Sequence, residues 1–456
     1  MNFDAIVIGA GQAGIPLSTR LADLGWSVAL VERAYLGGTC INTGCTPTKT
    51  MVASAQVAYY ARQAARWGVR TGEVSVDLAA VIARKSKVVM DARDGLERRV
   101  AGRKSLRLFR GQARFRSAQT VEVDGQELTA GKIFINTGTR PSIPSIEGLA
   151  SSGYLTNASI IELQEVPEHL LVLGGGYIGL EFAQMFARFG SQVTVIHRGQ
   201  QVLTREDAED ALVLQKALEA EGIRFVLEAQ TTRVDRTGGS ITANSKTPQG
   251  DERISGSHLL VAAGRTPNTA DLNLSAAGIE TDPKGFIRVN GRLETTAAGV
   301  WALGDVKGGP QFTHISFNDY QIVWANLIEG KNETIENRYV PFAVFTDLQL
   351  GRVGLTEKEA RSQGHRLKIG TIPMSYVERA IERDETVGMM KLIVDASNDR
   401  ILGATTLCSE GGEIVQILGV AMMAGAPYTL LKGAVYIHPT LAEGLWSLME
   451  AVKPVD

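Results

Sequence analysis

The chain has 456 residues, room for roughly three domains, and its 44% hydrophobic content is that of an ordinary globular protein. Its 47 basic and 49 acidic residues leave a net charge of −2, which excludes the basic footprint of a nucleic-acid binder or an anionic-membrane binder. Three cysteines are too few for a secreted disulfide framework, so a redox or catalytic pair in a reducing compartment is expected. The N-terminus enters a strand with no basic leader and no apolar export run. Ile417 to Leu431, the most apolar late stretch, holds two glycines and Pro427 and is too short to span a bilayer. The expected setting is cytoplasmic, without membrane or nucleic acid.

In chain order, Ala5-Ile6-Val7-Ile8 reads as a strand, Gly9-Ala10-Gly11-Gln12-Ala13-Gly14 as a turn, and the stretch to Leu24 as an amphipathic helix stopped by Gly25. A second strand, Val28 to Val31, closes at Glu32, 18 residues after Gly14. Gly9, Gly11 and Gly14 let the backbone approach a pyrophosphate at the helix N-terminus, and Glu32 can accept ribose hydroxyls. The flanking strand and acid make this G-x-G-x-x-G a strong dinucleotide signal.

Next comes Gly37-Gly38-Thr39-Cys40-Ile41-Asn42-Thr43-Gly44-Cys45-Thr46-Pro47-Thr48-Lys49. On an ideal helix two residues five apart have Cα atoms roughly 8–9 Å apart, beyond the roughly 4.4–6.8 Å of a disulfide. If the sulfurs bond, the backbone between them is distorted, and Asn42 and Gly44 permit that. Thr46 suits an N-cap and Pro47 a first helical position, which puts Cys45 at a helix N-terminus that favours a thiolate. The plainer alternative is two small buried thiols beside a tight turn. Helical patterns follow from Thr48 to Trp67, stopped by Gly68, and from Leu78 to Val100. Ile133-Phe134-Ile135 is a strand running into Asn136-Thr137-Gly138, and Pro141 and Pro144 mark a domain crossing.

The dinucleotide device then returns, with strand Leu170 to Leu173, turn Gly174-Gly175-Gly176-Tyr177-Ile178-Gly179, helix to Phe189, and strand Val193 to Ile196. Eighteen residues after Gly179 stands His197, followed by Arg198. The ribose acid is replaced and a cation stands beside its place, which suits a 2′-phosphate, hence NADPH over NADH. Arg205 is a second candidate phosphate partner, the plainer alternative being two solvated arginines on a loop. Leu259 to Gly264 and Val300 to Asp305 repeat the strand-to-glycine exit, with Asp305 at a strand's carboxyl end. Near the C-terminus, His438 and Glu443 lie five apart across Pro439, so the carboxylate can orient the imidazole for acid–base work. A histidine before a proline is otherwise a common turn residue. No His, Cys and acid pattern has metal-ligand spacing.

Two dinucleotide units, a C-x4-C between the first unit's acid and Lys49, and a late His-Pro-Thr-x-x-Glu together resemble the flavoprotein pyridine nucleotide-disulfide oxidoreductases over essentially the whole chain. That family includes dihydrolipoamide dehydrogenase, glutathione reductase and mercuric reductase. The resemblance implies an α/β fold of two Rossmann-like dinucleotide-binding domains plus a C-terminal α+β dimerisation domain. The expected division is 1–143 and 266–337 for FAD, 144–265 for NAD(P)H, and 338–456 for dimerisation. It implies FAD on Gly9, Gly11, Gly14 and Glu32, with Asp305 at the ribityl chain and Gly38, Thr39, Thr137, Gly138 and Gly304 nearby. NADPH would take Gly174, Gly176 and Gly179, with Tyr177 as a lid, His197, Arg198 and Arg205 at the ribose, and Gly264. Lys49 would lie near the flavin paired with Glu181. Cys40 would be the interchange thiol, Cys45 the flavin-side thiol, and His438 with Glu443 the acid–base of a homodimer with a shared active site.

Ala343 to Asp347, Thr204 to Asp207 and the Arg198/Arg205 pair resemble the mercuric reductase-like branch. Against mercury, Lys453-Pro454-Val455-Asp456 lacks paired terminal cysteines, no metal-binding domain is expected before Met1, and His438 is a disulfide reducer's residue. Gly411-Gly412-Glu413 and Cys408 resemble the branch related to the reductase of the reactive-chlorine response. The expected activity is reduction of a disulfide, an oxidised sulfur species or a related small-molecule electron acceptor. The alternatives are an NAD-linked dihydrolipoamide dehydrogenase, against which His197-Arg198 argues, and a non-catalytic flavin-binding scaffold, for which Cys40, Cys45 and His438 would be idle.

Overall fold

The computed structural model describes residues 1–336 and 338–455, so Asn337, where the third expected segment ends, and Asp456 lie outside the described residues. The chain forms two compact units.

The first unit comprises Met1–Thr50, Ala80–Ser142 and Gly264–Arg338. Its centre is a five-stranded parallel sheet in the order Val300–Ala302, Ile133–Ile135, Ala5–Ile8, Val28–Glu32, Leu106–Arg110. Ala5–Ile8 is an unbroken apolar run because both faces are covered. Ile6 and Ile8 pack towards Phe115, Val121 and Leu128 of a small four-stranded sheet. Ala5 and Val7 pack towards Leu17, Leu21, Val323 and Trp324 of the helices Gly14–Asp23 and Thr313–Ile328. The helices expected to Leu24 and over Leu78–Val100 run Gly14–Asp23 and Leu78–Ala101, with Gly25 following the first at φ +88°, whereas the stretch expected as a helix from Thr48 to Trp67 is an α-helix Cys45–Gln63 followed by a 3-10 turn Ala64–Trp67.

The second unit comprises Met51–Ala79, Ile143–Ala263 and Tyr339–Asp456. It contains a parallel sheet in the order Arg224–Val226, Gln192–Ile196, His169–Leu173, His258–Val261. Helix Tyr177–Phe189 follows the second glycine turn. A three-stranded antiparallel sheet of Gln230–Thr237, Ser240–Thr247 and Gly250–Gly256 packs on the parallel sheet. The C-terminal segment builds a six-stranded antiparallel sheet around Gln349–Gly354, Ile401–Cys408, Met389–Asp395 and Leu367–Pro373, covered by helices Gly411–Met423 and Gly444–Glu450. Among the described residues no helix is long and apolar enough to cross a membrane.

Candidate active site

The two glycine turns are built alike. The Gly9 amide donates to Val31 O and the Gly174 amide to Ile196 O, at 2.8 and 2.9 Å. A Cβ on Gly14 would drive into the Gly9 carbonyl, and one on Gly179 into the Gly174 carbonyl, so the last glycine of each motif is required by helix–strand packing. Glu32 accepts the Ala10 amide at 2.8 Å through one carboxylate oxygen and the Ala34 amide at 2.8 Å through the other. His197 takes the corresponding role in the second turn, its Nδ1 accepting the Gly175 amide at 3.1 Å. Accepting there places the neutral ring's proton on the buried Nε2. Burial, and then Arg198, push the His197 pKa down, so the ring is neutral where Glu32 is a carboxylate. Arg198 and Arg205 are exposed.

The turns differ in one further respect. In the first, Asn136 Oδ1 accepts the Gly14 amide at 3.0 Å, and its Nδ2 donates to Leu303 O at 2.8 Å. A Cβ on Gly11 would lie 2.7 Å from that amide oxygen, whereas one on Gly176 would meet open space. The space beside Gly176, at the start of helix Tyr177–Phe189, is thus open, leaving room there for a dinucleotide pyrophosphate. Tyr177, the expected lid, is the first residue of that helix and half-buried.

The cysteine stretch does not form one helix. Gly38–Asn42, which holds Thr39, is one short helix ending at Thr43, and Cys45–Gln63 is the next. The second helix starts ahead of the expected Thr46 cap and Pro47 start, because the Thr48 amide reaches back to Gly44 O at 3.0 Å. This break lets the two sulfurs meet. The Cys40 and Cys45 thiols are in hydrogen-bond contact. That bond, with burial, pushes the Cys40 pKa up, so Cys40 keeps the proton of the pair. The Thr313 hydroxyl lies 3.3 Å from Cys45 Sγ and also bonds Cys40, in the first turn of helix Thr313–Ile328.

Asp305, half-buried, accepts the Thr139 hydroxyl at 2.9 Å, and Thr139 in turn accepts from Arg265 Nε at 2.7 Å. Burial pushes the Asp305 carboxyl up, against that hydrogen bond and the charges of Arg265 and Lys307. Gly304 next to it is fixed by its amide donating to buried Asp319 at 2.7 Å, which also pairs with Lys307 and Arg338. Thr137 and Gly138 are stitched to Asn268, the Thr137 hydroxyl donating to its carbonyl at 3.0 Å and its amide donating to Gly138 O at 3.0 Å. Gly264 receives the Ser142 amide at 2.9 Å.

In the second unit, His438 Nδ1 lies 3.0 and 3.1 Å from the Glu443 oxygens. Donation to the carboxylate puts the proton on Nδ1 and leaves Nε2 as the atom that can take or give one. His438 is exposed. Glu181 accepts the Phe345 amide at 2.9 Å. Lys49 belongs to the first unit and Glu181 to the second, as Cys40 and His438 do.

Residues 3–319 match the model for pyridine nucleotide-disulphide oxidoreductases, and residues 340–449 match that family's dimerisation domain. The chain belongs to this family. The probable pyridine nucleotide-disulfide oxidoreductase RclA of Escherichia coli K12 is 39% identical over 460 residues, covering 99% of this chain and all of that one. A mercuric reductase of Lysinibacillus sphaericus is 35% identical, over 97% of this chain and 81% of its own. A dihydrolipoyl dehydrogenase of Thermus scotoductus is 36% identical, over 99% and 97%. The solved structure of the HOCl-induced flavoprotein disulfide reductase RclA superposes with a TM-score of 0.90 at 38% identity, over 99% and 100% of the two chains. This oxidoreductase is thus a flavoprotein disulfide reductase, with FAD and a pyridine nucleotide as its cofactors. The glycine turns described above fit both groups. Sequence reasoning missed Thr313, Asn136 and Asp319. Asn136 was findable, a polar residue at the end of an apolar strand, but no spacing rule links position 45 to 313.

Proposed function

We propose that this reductase oxidises NADPH and passes the electrons through Cys40 and Cys45 to a disulfide, an oxidised sulfur species or a related small oxidant, in the cytoplasm. The meeting of Cys40, Cys45 and Thr313 carries the reading, because a dithiol poised at a helix N-terminus is a redox pair. Neutral His197 beside Arg198 supports NADPH over the NADH of the dihydrolipoamide dehydrogenase alternative.

Gly9, Gly11, Gly14, Glu32 and Asp305 would hold FAD, which when bound would supply two-electron transfer between the coenzyme and the disulfide. Reduction leaves a thiolate at Cys45 and a thiol at Cys40. His438 of the partner subunit takes the Cys40 proton on Nε2, and Cys40 attacks an acceptor sulfur. The expelled group takes that proton, and Cys45 then attacks Cys40 Sγ, re-forming the disulfide and releasing the second product. Net, one disulfide, one NADPH and one proton become two thiols and NADP⁺.

The residues divide as 1–143 and 266–337 for FAD, 144–265 for the coenzyme and 338–456 for dimerisation. Val435, Ile437 and Met423 are 100%, 78% and 76% exposed in the dimerisation domain, an apolar surface that suits a two-fold partner. The site is shared, His438 of the partner subunit serving Cys40. Anaerobic and aerobic assays of kcat/KM for NADPH and NADH against low-molecular-weight disulfides test the activity. Cu(II) belongs in that panel, since RclA has a Cu(II) complex. Sustained turnover with none of them, or better use of NADH, contradicts the proposal. Co-expressed Cys40→Ala and His438→Ala chains should recover activity in heterodimers if the site is shared.

A further inference from the structure

We propose that Glu206 and Arg352 are positioning residues for the coenzyme: the C-terminal sheet holds the arginine loop in the pose that reads the ribose 2′-phosphate. This rests on the NADPH reading. The loop from Gly199 to Asp207 carries Arg205 and follows Arg198 directly, and it is anchored on both sides of Arg205. On one side the Leu203 amide donates to Gly175 O at 2.9 Å, tying the loop to the glycine turn. On the other, Glu206 pairs with Arg352 at 2.8 Å, the side chains 8% and 4% exposed. Arg352 stands on strand Gln349–Gly354 and spends its Nη1 on the carbonyls of Leu355 and Ala404, at 3.2 and 3.3 Å, so its head cannot follow a moving loop. Asp207 adds a second anchor. It sits at the N-cap of helix Ala208–Ala220 yet does not cap it. Its carboxylate accepts the Glu357 amide at 3.0 Å and pairs with buried Lys391 at 3.0 Å.

A solvated phosphate-binding loop needs no such anchorage. Two carboxylates turned away from solvent, onto cations of another sheet, oppose Arg205 being carried off by loop motion, and they keep acidic residues 206 and 207 from competing for it. The ordering entropy of the loop is thereby met in the free protein rather than on binding.

The test uses the flavin-loaded enzyme and two probes, 2′,5′-ADP and 5′-AMP, by isothermal titration. Glu206→Ala should weaken 2′,5′-ADP about tenfold, part of the ten- to hundred-fold a charge-assisted contact can give, and leave 5′-AMP within about twofold. The double variant Glu206→Leu/Arg352→Met replaces the buried pair by apolar side chains that keep the fold. It should melt with the wild type yet show the same selective loss, whereas Glu206→Gln, which still accepts from Arg352, should regain most of the affinity. Equal weakening of both probes, or none, overturns the positioning role. If the wild type itself does not prefer 2′,5′-ADP to 5′-AMP, the NADPH reading has failed, and the positioning role with it.

Discussion

The two dinucleotide turns share their hydrogen-bond pattern and differ in what is attached to it. In each, a strand end donates, a middle amide is accepted, and the returning chain donates to a turn carbonyl. Gly37 donates to Ala10 O at 2.8 Å in the first, and Leu203 to Gly175 O at 2.9 Å in the second. The acceptor of the middle amide is a carboxylate at Glu32 and a neutral imidazole at His197. The returning chain brings Cys40 and Cys45 in the first unit, and Arg205 and Glu206 in the second. On the proposed reading, the backbone motif sets where a dinucleotide lies, and the side chains fastened to it set which one binds and what it meets.

The largest effect should come from breaking the shared part of this pattern. Gly14→Ala and Gly179→Ala each force a Cβ into a carbonyl, a strain of about 1–3 kcal/mol at least. Gly14→Ala should be purified without flavin absorbance. Gly179→Ala should keep its flavin and lose reduction by coenzyme. Identical losses in both variants would show that the turns do not serve separate dinucleotides.

Exchanging the differing part is the next test. His197→Glu restores a carboxylate at the ribose position and should lower the NADPH-to-NADH ratio of kcat/KM by about ten- to a hundred-fold. An unchanged ratio would leave His197 a packing residue only.

The cysteine segment sharpens the contrast between the returning chains. Thr313→Val deletes the hydroxyl that contacts both sulfurs and should slow iodoacetamide alkylation of the reduced pair at neutral pH by about three- to tenfold, through a smaller thiolate fraction. Thr313→Ser should restore the rate. Equal rates in all three proteins would reduce Thr313 to a spacer.

The smallest effect concerns the second loop's anchorage. Burial raises the Asp210 carboxyl to about 6 from 3.8, despite Lys391 and the Thr405 hydroxyl. The folded state therefore holds a proton there that the unfolded chain has released, so this contribution to stability is complete below about pH 4 and is lost as pH rises through about 6. Asp210→Asn should melt about 2 °C above the wild type at pH 7.5, with the gap closing by pH 4. A constant gap would mean that Asp210 does not titrate in this range.

Much of this was legible in the sequence where chemistry and spacing are local. Both glycine turns, their strands and helices, Glu32, His197 and the His438–Glu443 pair each lie within a short stretch with a physical signature. The helix start at Cys45 was placed late because Gly44, which receives the Thr48 amide, has no side chain to announce a cap. Contacts made by folding were hidden. Thr313 is 268 positions from Cys45, and Arg352 is 146 from Glu206. Both are polar residues in ordinary-looking segments, given meaning by the strands and helices that carry them.

The central claim is that electrons from the coenzyme reach the Cys40–Cys45 pair, and counting thiols tests it most directly. The oxidised, flavin-loaded enzyme, denatured under argon, should show one titratable thiol per chain, Cys408 among the three cysteines. After one equivalent of NADPH, with no acceptor present, the count should rise to three. NADPH consumed with the count fixed at one would contradict the account.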